Sequence, residues 1–202
     1  MDPTHPTLHD VFQRLAGCAL PEWPQLEAAT TERRLTRGEP LFTAGEDLPC
    51  VFAVSEGIVK MVYETPKGDA WVKGFAEAGV CFASLSALED QGRTSFSAYA
   101  EVPSWVHQVR YAVLRELADR HLPWQRAVAN AMRIYGQRKE KRELELLTLS
   151  PPERYQRFLQ EHPALVNVLR QRDVASYIRV TPVALSRIKA RLLRGAADAV
   201  RS

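Results

Sequence analysis

The chain has 202 residues, 46% of them hydrophobic and 25% charged, with a formal net charge of +3. This is the composition of a folded globular protein, long enough for one large domain or two small ones. No apolar run approaches the roughly 20 residues of a membrane span, and the acidic, polar start MDPTHPTLHD does not read as a secretory signal, so a cytoplasmic protein is expected. Cys18, Cys50 and Cys81 are scattered and odd in number, which points to idle or buried thiols rather than a disulfide framework or a zinc or iron–sulfur site. Charge is unevenly spread. Residues 1–121 hold 11 Lys/Arg against 17 Asp/Glu, whereas residues 122–202 hold 16 against 7. An acidic front and a basic back imply two jobs, with a polyanion contact at the back.

In chain order, Leu8, Val11, Phe12 and Leu15 recur at helical spacing behind Thr7, with Asp10 three residues on, so a short capped helix is predicted. Pro21 and Pro24 break the chain, and a second short helix is expected around Gln25 to Ala29. From Leu35 to about Arg110, short runs rich in Val, Phe, Tyr and Trp alternate with glycine-bearing turns, as in GEPLFTAGED and CVFAVSEGIVKMVYE. Residues 51–63 read as strand, turn, strand with the bend at Glu56-Gly57, and Lys67-Gly68-Asp69 reads as a second hairpin tip. Many short, evenly spaced strands predict a barrel or jelly roll.

Helix signals return at Tyr111, with Val113, Leu114, Leu117 and Ala118 on one face. Pro123 opens a longer helix to about Leu147. Its apolar seam is Trp124, Val128, Ala131, Met132 and Tyr135, followed by the charged run Arg138 to Glu143. Such a helix commonly pairs with a copy of itself; the other reading is that the seam packs on its own barrel. Ser150-Pro151-Pro152-Glu153 is a capping box with proline at the first helical position, and Tyr155, Phe158 and Leu159 form the buried face that follows.

The stretch Leu169 to Leu192, LRQRDVASYIRVTPVALSRIKARL, reads as a helix-turn-helix. Val174 and Ile178 lie four apart on a first helix, Ala175 is small where two helices cross, and Val180 is expected to be buried in the turn. Thr181 is a good N-cap, and Pro182 suits the position after it. Leu185, Ile188 and Leu192 share one face of the second helix, while Val183, Arg187, Arg191 and Arg194 form the opposite ridge. Gly195 is expected to end this helix and leave a frayed tail.

A second helix of this kind can lie in a major groove of double-stranded DNA. Arg187, about a turn and a half in, is placed to reach guanine O6 and N7 with two donors. Thr181, Ser186, Lys189 and Arg191 are expected to hold phosphates, which sets position rather than sequence, and Pro182 and Val183 to meet a thymine methyl. The plainer reading is a helical hairpin with a solvated basic side. One position departs from the pattern: Arg179 stands where such a turn wants a glycine, because the backbone there tends to be left-handed. Either the turn differs, or the arginine is tolerated because its charge meets a phosphate.

Gly38 through Gly45, the Val51–Gly57–Tyr63 hairpin, Gly68, Ala78-Gly79 with Phe82, ERYQRFLQEHPALVN and DVASYIRVTPVALSRIK stand in a telling order. Over roughly residues 20–194 that order resembles the cyclic-nucleotide-receptor/FNR (CRP/FNR) family of bacterial transcription regulators. The resemblance implies an α+β chain: an antiparallel β-roll sensor of the cyclic-nucleotide-binding, jelly-roll type (1–121), a long dimerisation helix (122–148) and a helix-turn-helix domain (149–202). It also implies a homodimer on an inverted repeat in DNA, RNA polymerase as partner if the protein activates, and often a small effector in the roll.

For the effector, the chain departs from the family pattern. Cyclic-nucleotide-binding members hold ribose and phosphate with a Gly-Glu pair and an arginine ten residues after the Glu. Here Ala83-Ser84 stand at the pair and Thr94 at the arginine, with Arg93 one residue early. A ribose hydroxyl loses its carboxylate acceptor and a phosphate loses its bidentate partner, unless a one-residue shift delivers Arg93. No cofactor is therefore certain. A cyclic nucleotide is weighed against a collapsed or repurposed pocket whose candidate residues are Phe82, Ser84, Arg93 and Thr94, with Met132 and Tyr135 on the long helix. The cysteine cluster of the iron–sulfur branch is absent, and His107 and His121 have no haem motif around them.

A jelly roll can also be a metal-dependent enzyme, but the histidines His5, His9, His107, His121 and His162 are dispersed, and no phosphate-binding glycine loop or nucleophile elbow is present. No enzyme and no metal site are expected. The remaining alternative is a ligand-binding module whose helix-turn-helix does not touch DNA; the basic surplus at the back of the chain argues against it.

Overall fold

The structure, a computed structural model, describes residues 5–65 and 68–201, with side chains described as far as Arg194. The chain forms two compact units, residues 1–137 and 138–202, whose boundary falls inside one helix. Among the described residues no helix is long and apolar enough to cross a membrane.

The first unit opens with α1 (Leu8–Ala16), fixed by the expected capping box: Thr7 N donates to Asp10 Oδ2 at 2.9 Å, and Asp10 N donates to Thr7 Oγ1 at 3.1 Å. Helix α2 (Trp23–Ala28) starts earlier than expected. Pro24 lies in its first turn, where a missing N–H costs nothing, so this proline opens a helix rather than breaking the chain.

Strands β1 (Thr30–Leu35), β2 (Pro40–Phe42), β3 (Cys50–Glu56), β4 (Ile58–Glu64), β5 (Ala70–Glu77), β6 (Cys81–Phe82), β7 (Ser97–Ala100) and β8 (Ser104–Arg110) follow. They form two antiparallel four-stranded sheets, ordered β1-β8-β3-β6 and β2-β7-β4-β5, a double-sheet jelly roll. The β region begins at Thr30 rather than Leu35. The polar run TTERRL hides the first strand because only Leu35 of its side chains is buried, while its backbone pairs with β8 along its whole length. Between the sheets lie Phe42, Phe52, Val54, Val59, Phe96 and Val106. The other face of the first sheet, through Ala53 and Val109, packs on Phe12, Leu26, Leu117 and Trp124, which come from α1, α2, α3 (Tyr111–Arg120) and α4 (Leu122–Thr148).

Residues 51–63 do not form the expected hairpin. Both strands exist, but β3 pairs with β6 and β8 while β4 pairs with β5 and β7. The chain changes sheets at Gly57, where φ is +87°. Hydropathy alternation shows that a strand exists but not which strand it pairs with. The hairpin in this region is β4–β5, whose turn includes Gly68; Lys67 of the expected tip lies outside the described residues.

The seam of α4 divides. Trp124 and Ala127 are buried in the chain's own core with Val128 packed against it, whereas Met132 is 46% exposed. Leu144 and Leu147, farther along, are exposed as well.

The second unit holds the end of α4 with α5 (Pro151–Glu161), α6 (Gln171–Tyr177) and α7 (Pro182–Arg201). The Ser150–Glu153 capping box forms as expected, with Ser150 N donating to Glu153 Oε2 at 2.8 Å. Tyr155, Phe158, Leu165, Leu169, Val174, Ala175, Ile178 and Leu185 are buried. Helix α7 does not stop at Gly195 but continues to Arg201. A single interior glycine costs only about 1 kcal/mol, and the alanine-rich AADAV after it favours helix.

Candidate nucleic-acid interface and effector region

The turn between α6 and α7 is the left-handed one. Val180 N donates to Ala175 O at 2.9 Å and Arg179 N to Ser176 O at 3.2 Å, the pair of bonds that closes a helix through a left-handed residue. That residue is Arg179, with φ +61°. The backbone therefore keeps the geometry that favours glycine, and the arginine carries the strain. Two guanidiniums staple the turn. Arg154 Nε donates to Ile178 O at 2.9 Å, and Arg142 donates to Tyr177 O while stacking 4.0 Å from the Tyr177 ring. They satisfy terminal carbonyls that α6 cannot pair internally. Val180 was expected to be buried and is half-buried: it sits beside exposed Arg179 at the surface, and its N–H closes the turn.

Arg179→Gly should raise stability by about 1 kcal/mol by relieving the left-handed strain, measured by urea unfolding. A lower stability would mean that the arginine side chain contributes more than its backbone costs. If DNA affinity and its salt dependence stay unchanged in the same variant, Arg179 has no phosphate role.

Helix α7 starts as the sequence predicts. Thr181 Oγ1 accepts Ala184 N at 3.1 Å, and Pro182 is the first residue. Leu185 is buried on the inner side, with Ile188 and Leu192 half-buried. The outer side brings together Pro182, Val183 (61% exposed), Ser186, Arg187 and Arg191, all solvent-facing. Lys189 does not belong to this ridge: it is half-buried and donates to Gln171 Oε1 at 3.0 Å, bracing α7 against the start of α6. Sequence reasoning passed over Arg170 and Arg172, which flank Gln171 and are exposed; their signal was the basic run at the head of the first helix.

In the roll, the candidate effector residues are engaged internally. Ser84 is buried, and its Oγ accepts Ser95 N at 2.9 Å. Thr94 is buried; its Oγ1 donates to Thr43 O at 2.6 Å and accepts Glu46 N at 2.9 Å. Arg93 is exposed and donates to Gly45 O at 2.9 Å. Together these bonds tie the segment after β6 to the 43–46 turn. Phe82 stacks on Phe52 at 5.4 Å, within the group of Phe42, Phe52 and Phe96 that fills the roll. Of the two long-helix candidates, Met132 is largely exposed, while Tyr135 lies 5.7 Å from Lys73 Nζ. Lys73 also sits 4.5 Å from the Phe96 ring, and Phe96 contacts Tyr63 edge-on. Lys73 and Tyr63 were not singled out, because nothing in a strand's alternation says which residue will face a distant helix.

Among the described residues no group of His, Cys, Asp and Glu could hold a metal ion. The three cysteines are free, and burial pushes the Cys81 thiol up to about 12, which makes it unreactive at neutral pH.

A cyclic-nucleotide-binding-type roll, a long helix and a basic helix-turn-helix unit define the CRP/FNR class, and the fold is that class's fold. Residues 32–121 match the cyclic nucleotide-binding domain family. The fold is similar to that of FixK2 from Bradyrhizobium japonicum, with a TM-score of 0.72 at 21% identity, covering 83% of this chain and 86% of that one. It is similar to CLP, the c-di-GMP-responsive global regulator of Xanthomonas campestris, with a TM-score of 0.69 at 14% identity, covering 86% and 91%. The catabolite activator protein of Thermus thermophilus gives 0.55 at 21% identity, covering 92% and 88%. No curated protein matches the chain.

Proposed function

We propose that the chain is a sequence-specific DNA-binding transcription regulator, acting as a homodimer on an inverted-repeat operator. The observation that carries this is the outer side of α7. Arg187 and Arg191 stand exposed opposite buried Leu185, on a helix whose entry is fixed by the Thr181 cap and the stapled left-handed turn. FixK2, CLP and the catabolite activator protein support a regulator rather than an enzyme. Arg187 reads a base edge; Thr181, Ser186 and Arg191 hold phosphates, with Lys189, Arg170 and Arg172 at the flank; Pro182 and Val183 offer apolar contact to a thymine methyl.

Residues 1–121 act as the sensor, 122–148 pair two copies and 149–202 bind DNA. Ala129, Met132 and Gly136, at spacings of three and four on α4, are all exposed, which supports pairing there; the Trp124 end of the seam is already covered by the chain's own core. The protein acts in the cytoplasm, with RNA polymerase as partner where it activates. The internal bonds of Ser84 and Thr94 argue against cyclic-nucleotide binding in the family manner. An effector near Lys73 and Tyr135 that gives a tenfold gain in DNA affinity needs about 1.4 kcal/mol of coupling.

The test is selection of random DNA by the purified protein. Enrichment of an inverted repeat with half-site centres about 34 Å apart is expected. A folded protein that enriches nothing, with and without cyclic nucleotides, would favour a ligand-binding module instead. Arg187→Ala should cost about 1–3 kcal/mol of operator affinity and relax specificity at one base pair of each half-site. A uniform loss across all sequences would assign Arg187 to the phosphate backbone.

A further inference from the structure

The turn that aims α7 is anchored to two helices outside the helix-turn-helix. Arg142, near the end of α4, donates to Tyr177 O and lies 4.0 Å from the centre of the Tyr177 ring. That ring also packs on Phe158 of α5 at 5.6 Å and on His162, just after α5, at 6.0 Å. Arg154 of α5 holds the next carbonyl, Ile178 O. The two anchoring helices are themselves joined, by Lys141 to Glu161 at 2.6 Å and by Arg157 to Glu145 at 4.0 Å. Arg142 belongs to the same network, with Glu145 4.0 Å from its guanidinium.

This reach does more than close a helix end. Helix α6 has seven residues, well short of the roughly 12–15 at which an isolated helix holds in water. Its exit through left-handed Arg179 is strained. Buried Val174, Ala175, Ile178 and Leu185 keep α6 and α7 together, but apolar burial is non-directional and does not by itself fix a tilt. A hydrogen bond and a stacked guanidinium are directional. The direction of α7 is therefore referred, through Tyr177, to the end of α4. Arg142 and Tyr177 are both half-buried and stand outside the exposed ridge of α7, so what they supply is position rather than contact.

We infer that Arg142 is a positioning residue that sets the spacing between the two half-sites of the operator, an inference that rests on the reading of two copies paired through α4 on an inverted repeat. Each recognition helix is clamped to the end of its own α4, and the paired helices hold the two clamps a fixed distance apart. One extra base pair at the operator centre moves a half-site by about 3.4 Å and turns it by about 35°. With the clamp in place α7 cannot follow; without it α7 pivots at the turn and does. Arg187 reads the sequence of a half-site, and Arg142 fixes the distance between half-sites.

The test is selection by the full chain from DNA in which spacer length varies. It is followed by titration of three DNAs: the selected operator, that operator with one base pair inserted at its centre, and that operator with one half-site base changed. The parent should enrich one spacing and bind the inserted operator at least tenfold more weakly. Arg142→Ala should enrich several spacings and cut that penalty below threefold, while the penalty for the changed base stays as in the parent. Arg142→Lys keeps a cation and a donor but not the planar fork, and should restore part of the spacing penalty. Unfolding midpoints identify any variant that is misfolded. If Arg142→Ala does not fold, Tyr177→Leu carries the test: it keeps the carbonyl, removes the ring and should cut the insertion penalty at least twofold. A folded Arg142→Ala or Tyr177→Leu protein that keeps the parent's insertion penalty would overturn the inference, and so would an equal loss of affinity for all three DNAs. A parent that enriches no inverted repeat fails the DNA-binding reading, and this inference with it. That outcome is distinct from a parent and variants that all select the same single spacing, which removes the role of Arg142 alone.

Discussion

Trp124→Ala should lower the stability of the first unit by about 3–5 kcal/mol, the range for removing a large aromatic side chain from a core. Trp124 is fully buried at the start of α4. Its ring stacks on Trp23 at 6.0 Å and 9° and meets Phe12 edge-on at 5.7 Å. Its Nε1 donates to Pro21 O at 2.8 Å. One side chain thus joins α1, the α2 approach and α4, and its removal leaves a cavity among three elements that cannot all close in. Trp124→Phe separates the contributions: it keeps most of the packing and loses the Pro21 bond, worth about 1 kcal/mol. Urea unfolding of both variants measures the difference. A loss under 1 kcal/mol for the alanine variant would show that α4 is not anchored through this residue.

Gly57→Ala should cost about 2–4 kcal/mol, of which about 1–2 kcal/mol is left-handed strain and the rest crowding. The glycine has φ +87°, and a Cβ there would lie 2.5 Å from Pro103 O, on backbone that cannot swing away. Ser104 Oγ, which would also be struck, accepts Ile58 N at 3.1 Å and donates to Val102 O at 2.7 Å. The corner between the sheets is therefore closed on both sides. Gly68→Ala is the control, since its φ is +85° and a Cβ there would meet nothing within 4 Å. It should show the strain alone. Equal losses at the two positions would remove crowding from the account.

The helix N-terminal caps at Thr7, Ser150 and Thr181 were the most legible part of this chain. The Thr7–Asp10 and Ser150–Glu153 boxes, the Thr181 cap and Pro182 are bonds between near neighbours, so three or four residues of sequence specify them. The buried face of the helix-turn-helix was legible for the same reason: Val174, Ala175, Ile178 and Leu185 follow helical period, and all are buried. Strand pairing was not. Residues 51–63 look like a hairpin because both strands and a glycine are present, yet β3 pairs with strands tens of residues away, and β4 turns instead to β5, through the Gly68 turn, and to distant β7. The candidate site divides along the same line. The exposed ridge of α7 could be read from spacing, but the bond from Lys189 to Gln171 could not, because it depends on how two helices cross.

The sequence by itself determined most of the helices and strands, the caps at Thr7, Ser150 and Thr181, and that the positive charge gathers in the second half of the chain. Period, capping and composition are local, and each residue contributes to them without knowing its distant neighbours. The tertiary structure alone decided that Gly57 is a corner, that Arg142 and Arg154 staple the recognition turn, and that Ser84 and Thr94 are used up inside the roll. Each of these depends on contacts between residues far apart in the chain, which form only when sheets and helices pack, and no local pattern encodes them.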